Sequence, residues 1–458
     1  MPNFEDKAEF IKRHRREMAP IIDDTDERGT FVSIQEAEDI RNLHVDPARI
    51  EKILERFETK VYAWENTSPT QDAKSVLIEA SETLAFRNVV PILDRLTHDP
   101  RCRAICFITD SIAGREFEKK GDRSFVRISH DHSKPLLAEL PANFDVALAM
   151  VEQPNSQNAL LLYGAKSIFG AKKLFLLVTG WQGVGGTNLF REDAKRRTST
   201  MESIDGVFCN DELAKIILKK DMPNFPDSRV YAIGTLTLGT LEVERGEEYK
   251  KEGRRKLGIR DSAFALLYAG QNQSVCSEAY GSRKDIEEET LRRTFDVVME
   301  MARSRPKEYF ALLLRPHPSD AEQKRIYDIA RLVSLADVPK NLEIRLALAV
   351  SMQEAVYAAD IISSISSNEV FLAHYRGKKG VFLGFAGDGL GADLLRKIYG
   401  SEELVAEIKD SRILEIVNSS EELLGLLSRE HQRIPQKPAP IDKEDIIKKT
   451  LDSMFADS

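Results

Sequence analysis

The chain has few cysteines, and their spacing argues against a metal site. Only four cysteines occur among 458 residues, and only Cys102 and Cys106 lie close together. Both sit in or beside the apolar run Ala104–Thr109, with no histidine cluster nearby, which is a poor signature for a metal. We therefore expect buried, reduced thiols and no metal.

The sequence also has no apolar run of 18 residues or more, and no apolar stretch follows its first residues, Met1 to Lys7. These absences argue against a membrane-spanning helix and a secretory signal, so we expect a cytoplasmic protein. The basic cluster from Lys12 to Arg16 leaves open a peripheral contact with the inner face of a membrane. A solvated helix face is the commoner role of such a cluster.

An excess of positive charge is missing as well. The net charge is −8, which argues against a general nucleic-acid binder. Neither a G-x-G-x-x-G fingerprint nor a P-loop occurs where a dinucleotide or nucleotide site would need it. Any anionic ligand must be held by local basic groups, and no cofactor is expected.

What the chain does have is an alternation of short apolar runs with helical segments, typical of βαβ units. The alternation begins near residue 74 and restarts near residue 263, after a highly charged stretch. It predicts an α/β protein with two Rossmann-like domains facing a cleft and a helical N-terminal extension. The predicted boundaries are 1–72 for the extension, 73–241 for the first domain, 242–257 for a connector, 258–434 for the second domain, and 435–458 for a tail with a returning helix.

Two strand exits in the second domain carry groups suited to a phosphate-bearing ligand. The apolar run that begins at Leu312 ends in Arg315-Pro-His317-Pro, and the run that begins at Ile361 ends in a serine-rich segment before Glu369. Because ligands of open α/β sheets lie at the carboxyl ends of strands, these exits predict a diphosphate site. The predicted donor-binding residues are Gly270, Gln271, Asn272, Arg315, His317, Ser364, Ser366, Ser367 and Glu369.

These motifs resemble the C-terminal domain of GT-B glycosyltransferases, in particular the branch of the CDP-glycerol glycerophosphotransferases and related capsule enzymes. The resemblance rests on Leu314-Arg-Pro-His-Pro318 and on Ala359-Asp-Ile-Ile-Ser-Ser364 with Glu369. It implies that His317 and the serines grip the donor's phosphates and that Glu369 lies near the ribose.

The first domain offers an acceptor-side loop and several candidate bases. That branch often carries Trp-His-Gly in the loop, whereas this chain has Trp181, Gln182 and Gly183. Glutamine is no base at neutral pH, so the base must lie elsewhere. One candidate is Glu82 or its neighbour Glu79, and another is the pair Asp131 and His132 beside His130; a solvated loop or a metal site remains open for the histidine cluster.

Together these features predict a metal-independent glycosyltransferase that moves a sugar from a nucleotide-activated donor to a surface glycan, a lipid-linked acceptor or a protein. The alternatives are a glycerol-phosphate-type transferase, a nucleotide-sugar epimerase of the same fold, and a non-catalytic nucleotide-sugar-binding protein. The usual arginine and glutamate signature of an epimerase is not found. The oligomeric state stays open.

Overall fold

The computed structural model describes residues 59–80, 83–109, 111–120, 124–128, 143–150, 165–166, 169–178, 204–221, 224–236, 238, 240–270, 286–316, 337–365, 367–384, 414–432, 438 and 441–456. They fall into two compact units. The first unit holds the described residues up to 238 together with 441–456, and the second holds those from 240 to 438.

Two sheets and ten α-helices make up the described part. The strands are β1 Lys60–Glu65, β2 Lys74–Glu79, β3 Cys102–Thr109, β4 Val126–Arg127, β5 Val146–Met150, β6 Lys173–Leu177, β7 Gly206–Cys209, β8 Val230–Ala232, β9 Phe264–Ala269, β10 Phe310–Arg315, β11 Leu342–Leu346, β12 Ile361–Ser364, β13 Lys379–Leu383 and β14 Leu414–Val417. The helices are α1 Thr83–Leu96, α2 Ser111–Lys120, α3 Glu212–Asp221, α4 Thr240–Glu244, α5 Gly246–Leu257, α6 Ile286–Ser304, α7 Met352–Ala358, α8 Asn368–Tyr375, α9 Ser420–Glu430 and α10 Lys443–Phe455.

The first sheet has the order β4-β1-β3-β2-β5-β6-β7-β8. From β3 to β8 all neighbours pair in parallel, and their apolar runs are buried on both faces, as expected where helices cover both sides. The strand order reverses between β2 and β5, so the carboxyl end of β2, at Glu79, lies at a topological switch point.

Strand β1 corrects one prediction. Residues 1–72 were expected to form a helical extension, but Lys60–Glu65 pairs antiparallel with β3 along its whole length. The side chains of Val61 and Tyr62 are buried, and Tyr62 stacks near Phe107 and Phe117. The segment is only six residues long, Lys-Val-Tyr-Ala-Trp-Glu. Its pairing with β3 therefore determines its conformation, and the helical spacing farther upstream does not extend into it. Residues 1–58 lie outside the described part.

The first unit's core confirms the prediction of buried, reduced thiols for three of the four cysteines, and Cys276 lies outside the described residues. Cys102, Cys106 and Cys209 are free and buried, and burial raises the pKa of each thiol to about 12. Helix α10 packs into this core through Ile446, Leu451, Met454 and Phe455. The thiols therefore behave as small apolar side chains.

The second sheet has the order β11-β10-β9-β12-β13-β14, and every neighbouring pair is parallel. Buried clusters cover both of its faces. The chain runs outward from β9 to β11 and then resumes at β12 on the other side. The switch point of this sheet therefore lies between β9 and β12, where a ligand crevice is expected.

Helices α4 and α5 occupy most of the predicted connector, and α5 packs onto α7 of the second unit. A Cβ on Gly253 would overlap the Glu354 carbonyl oxygen, so only glycine lets these helices approach so closely. Arg254, 2% exposed, donates to the carbonyl oxygens of Ala358, Asp261 and Ala263 and pairs with Asp360. These contacts attach α5 to the second sheet.

No helix within the described ranges is long and apolar enough to span a bilayer.

Candidate functional site

The site is built at the carboxyl edge of the second sheet, around its switch point. Arg315 at the end of β10 lies opposite Ala269 of β9, and Ser363 of β12 lies opposite Tyr268. Gly270, Arg315 and Ser364 therefore come to the same edge from three neighbouring strands. Gly270 and Ser364 are almost 100 residues apart in the sequence, yet the parallel sheet brings them to the same edge.

Among the described residues, the Arg315 guanidinium is held through one of its three nitrogens. Its Nη1 donates to the carbonyl oxygens of Ala347 and Val350, the second at 2.8 Å. Its Nε and Nη2 have no acceptor among the residues that the structure describes. Burial lowers the pKa of Arg315, and the charge of Glu369 opposes that shift. A half-buried guanidinium with free N–H groups is suited to a phosphate oxygen.

The backbone N–H of Gly270 and the hydroxyl of Ser364 already donate hydrogen bonds within the protein. The Gly270 N–H donates to the Arg315 carbonyl at 2.8 Å. The Ser364 hydroxyl donates to the Ala269 carbonyl at 2.6 Å, and its oxygen accepts from the Ser367 N–H at 3.3 Å. The neighbouring Ser363 hydroxyl likewise donates to the Leu267 carbonyl. These two serines hold β12 against β9 and shape the turn, so their hydroxyl protons are not directed at a ligand.

Helix α8 begins at Asn368, and Ser367 is its N-cap. The Ser367 side chain accepts from the Glu369 N–H at 3.3 Å. The helix N-terminus stands directly after β12, so its partial positive charge lies at the same edge as Arg315. This arrangement of an arginine and a helix N-terminus suits an anion.

Glu369 belongs to a buried ion-pair network that the sequence analysis did not find. Its Oε2 accepts from Arg376 Nη1 at 2.7 Å, and Arg376 Nε donates to Glu242 of α4 at 2.9 Å. The Arg376 side chain is 3% exposed. Burial alone would lower the pKa of Arg376, but the carboxylates of Glu369 and Glu242 outweigh it and raise that pKa.

A signal for this pair exists in the sequence. Arg376 follows Glu369 by seven residues, which is two helical turns and therefore the same face. Arg376 holds Oε2 of Glu369, whereas Oε1 of Glu369 has no hydrogen-bond partner in the described part. That oxygen is the one left for a ligand hydroxyl.

The remaining predicted site residues lie outside the described residues. On the donor side they are Gln271, Asn272, His317 and Ser366; on the first unit they are Glu82, Asp131, His132, Trp181, Gln182 and Gly183. Their roles stay predictions. Of the candidate bases, Glu79 is described, and it is fully buried at the switch point of the first sheet.

Comparison with known proteins identifies the fold. No protein-family model and no curated protein matches the chain. Among solved structures, the chain is similar to UDP-GlcNAc 2-epimerase from Methanocaldococcus jannaschii, with a TM-score of 0.51 and 14% identity over 82% of this chain and 99% of that one. It is also similar to S. aureus MnaA solved with UDP, with a TM-score of 0.50 and 11% identity over 83% of this chain and 95% of that one.

These similarities confirm the α/β, GT-B-type fold with two Rossmann-like domains and correct the predicted reaction. The prediction of a glycosyltransferase is wrong, because the similar solved structures include UDP-GlcNAc 2-epimerases such as the M. jannaschii protein. The resemblance to the CDP-glycerol branch is not confirmed. The strand exits on which that resemblance rested carry groups suited to a phosphate, and other reactions on the same fold also need such groups.

Proposed function

We propose that the protein is an enzyme that binds a nucleoside-diphosphate sugar, specifically a UDP-sugar, and epimerises the sugar. The proposal rests on one observation: Arg315 and the N-terminus of α8 both lie at the carboxyl edge of the second sheet, beside its switch point. Two sources of positive charge face one edge there, within a chain whose net charge is −8.

The nucleotide half of the proposal follows from the groups at that edge. The Nε and Nη2 of Arg315 bind diphosphate oxygens, and the Asn368 N–H at the N-terminus of α8 binds the same anion from the other side. Glu369 accepts hydrogen bonds from the ribose hydroxyls through Oε1, while Arg376 fixes its Oε2. We place His317, Gln271, Asn272 and Ser366 around the same diphosphate.

The sugar half is supported by the similarity to the M. jannaschii UDP-GlcNAc 2-epimerase and to MnaA with UDP. Epimerisation removes a hydrogen from one carbon of the sugar and returns one to the other face. It therefore needs an acid and a base that touch the sugar. We assign these roles to the first domain, with Asp131, His132 and Glu82 as candidates and Trp181, Gln182 and Gly183 as the loop beside the sugar.

Proton exchange with solvent tests this reaction. When UDP-GlcNAc is incubated with the protein in D₂O, we expect deuterium to enter at C2 and the C2 epimer to accumulate, both followed by proton NMR. His132→Gln is expected to slow the exchange by about 100-fold or more, the usual contribution of a general acid or base, without changing the affinity for UDP.

The matched control is His98→Gln, which alters an exposed histidine at the end of α1 that bonds to the Asp94 carbonyl. It should leave exchange unchanged. UDP binding without any exchange at C2 would refute the epimerase part while leaving the nucleotide site intact. A His132→Gln variant as active as the wild type would remove that residue from the reaction.

A further inference from the structure

A cavity of about 480 Å³ lies in the second unit at the edge opposite the proposed nucleotide site. Its wall includes Phe264, Ile361 and Lys379, which are the first residues of β9, β12 and β13. These strands are parallel, so the cavity stands at their amino ends, whereas Arg315 and Ser364 stand at carboxyl ends. The cavity therefore stands at the opposite edge from the nucleotide site, and of its wall residues the proposed function uses only Arg376, which holds Glu369.

Lys378 lines this cavity, and the one hydrogen bond of its amine among the described residues goes to a backbone carbonyl oxygen. Its Nζ donates to the Tyr357 carbonyl at 3.2 Å, and within the described residues it has no ion-pair partner. Burial lowers the pKa of Lys378 to about 8, with smaller contributions from its charged neighbours. At neutral pH a part of the population therefore carries an uncharged amine with a free lone pair.

The charges around Lys378 come from several elements. The cationic groups in the wall are Lys250 and Arg254 of α5, Arg376 after α8, Lys379 of β13 and the ionisable His431 after α9. Arg254, Arg376 and Lys379 are each paired with a carboxylate. Lys250, like Lys378, has no ion-pair partner in the part of the chain that is described.

The acidic groups in the wall are Glu244, Glu247, Asp261, Asp360 and Glu430. Glu244, Glu247 and Asp261 are exposed to solvent, which screens them, and Asp360 is occupied by Arg254. Among the residues that the structure describes, two partly buried amines without an ion-pair partner therefore line one cavity. A small ligand that is both anionic and electrophilic matches both of them.

We propose that Lys378 is a nucleophilic amine that accepts an acyl group from a small acyl phosphate bound in this cavity. The Nζ lone pair attacks the acyl carbon, a C–N bond forms, and the carbon–oxygen bond to phosphate breaks. Phosphate leaves with the bonding electron pair, and Nζ loses one proton to water. Lys250 binds the phosphate before and during the transfer. The product is an uncharged amide, which removes a poorly compensated charge from the cavity.

Acetyl phosphate provides the test. It is incubated with the intact, folded chain, and acetylation of each lysine is then followed by mass spectrometry of the peptides. Lys251 is the internal control, because it follows Lys250 on α5 and is exposed. At pH 7.5 we expect Lys378 to be acetylated on the order of tenfold faster than Lys251, because an ordinary lysine has a pKa of about 10.4. The rate at Lys378 should level off above pH about 9, and inorganic phosphate should slow Lys378 alone.

Two outcomes would overturn the proposal. One is an acetylation rate at Lys378 no higher than at Lys251, and the other is a rate at Lys378 that still climbs about tenfold between pH about 8.5 and about 9.5, as it does for an ordinary lysine with a pKa of about 10.4. Lys250→Met should lower the rate at Lys378 several-fold and abolish protection by phosphate; an unchanged rate would refute the role of Lys250. UDP binding and exchange at C2 are measured separately, so neither result depends on the other.

Discussion

Arg376→Met is expected to lower the free energy of unfolding of the second unit by about 3–5 kcal/mol, the usual cost of removing one partner of a buried ion pair. Methionine fills a similar volume, so the loss does not come from a cavity. It comes from the carboxylates of Glu242 and Glu369, which lose the guanidinium that bonds them at 2.9 and 2.7 Å. Denaturant unfolding followed by circular dichroism measures the change.

Two controls separate this network from ordinary charge loss. Arg255→Met removes an exposed arginine that pairs with Glu252 on the same helix, and it should leave the melting temperature nearly unchanged. The triple variant Arg376→Met, Glu242→Gln, Glu369→Gln removes the stranded charges and should recover much of the stability. Equal stability of Arg376→Met and the wild type would contradict a structural role for the network.

Gly380→Ala is expected to be the second severe change. Gly380 lies in β13, and a Cβ there would overlap the backbone carbonyl oxygen of Val370 in α8. Helix α8 must then move away from the sheet, so we expect a loss of about 1–3 kcal/mol, the typical cost of overpacking. Because α8 carries Ser367 and Glu369 at its start, UDP affinity should fall as well. Thermal unfolding and UDP titration measure the two effects.

Gly425→Ala in α9 is the matched control. A Cβ at Gly425 meets only the end of the Arg429 side chain, at 3.9 Å. Alanine is better than glycine in a helix by about 0.5–1 kcal/mol, so this variant should be as stable as the wild type or more so. If Gly380→Ala behaved like Gly425→Ala, the close approach of α8 to β13 would not be what positions the site.

The central strands and the edge that bears the site could be predicted from the sequence. Apolar runs that end in Arg315 and in Ser364 are local signals, and the rule that strands of a parallel sheet share a carboxyl edge brings them together. The start of helix α8 has a local signal too, because serine is a good N-cap and Ser367 takes that position. Each of these predictions depends on neighbours in the sequence.

The features that could not be predicted depend on partners far away in the chain. Glu242 and Arg376 are 134 residues apart, and no local pattern joins them. The Ser364 hydroxyl looked like a ligand donor, yet it bonds to Ala269, 95 residues earlier. The residues of β1 pair with residues of β3 that lie about 40 to 50 positions later in the sequence, and only that pairing shows that Lys60–Glu65 is a strand.

The reaction was predicted wrongly for a related reason. The motifs around Arg315 and Glu369 are suited to holding a phosphate, and a donor for transfer and a substrate for epimerisation present the same diphosphate. The chemistry at the sugar depends on acids and bases, and the sequence pattern around Asp131 and His132 leaves several roles open. A binding edge therefore identifies the ligand class better than it identifies the reaction.

The central claim is that a uridine nucleotide binds at the carboxyl edge of the second sheet through Arg315. Calorimetric titration with UDP of the wild type, Arg315→Met and Arg429→Met tests it most directly. Arg429 is an exposed arginine at the end of α9. It lies at the opposite edge of the sheet, because His431, two residues later, packs on Phe264 at the start of β9. We predict that Arg429→Met binds UDP like the wild type and that Arg315→Met binds about 10- to 100-fold more weakly, the loss of a charge-assisted hydrogen bond. No UDP binding by the wild type, or equal binding by all three proteins, would contradict the account.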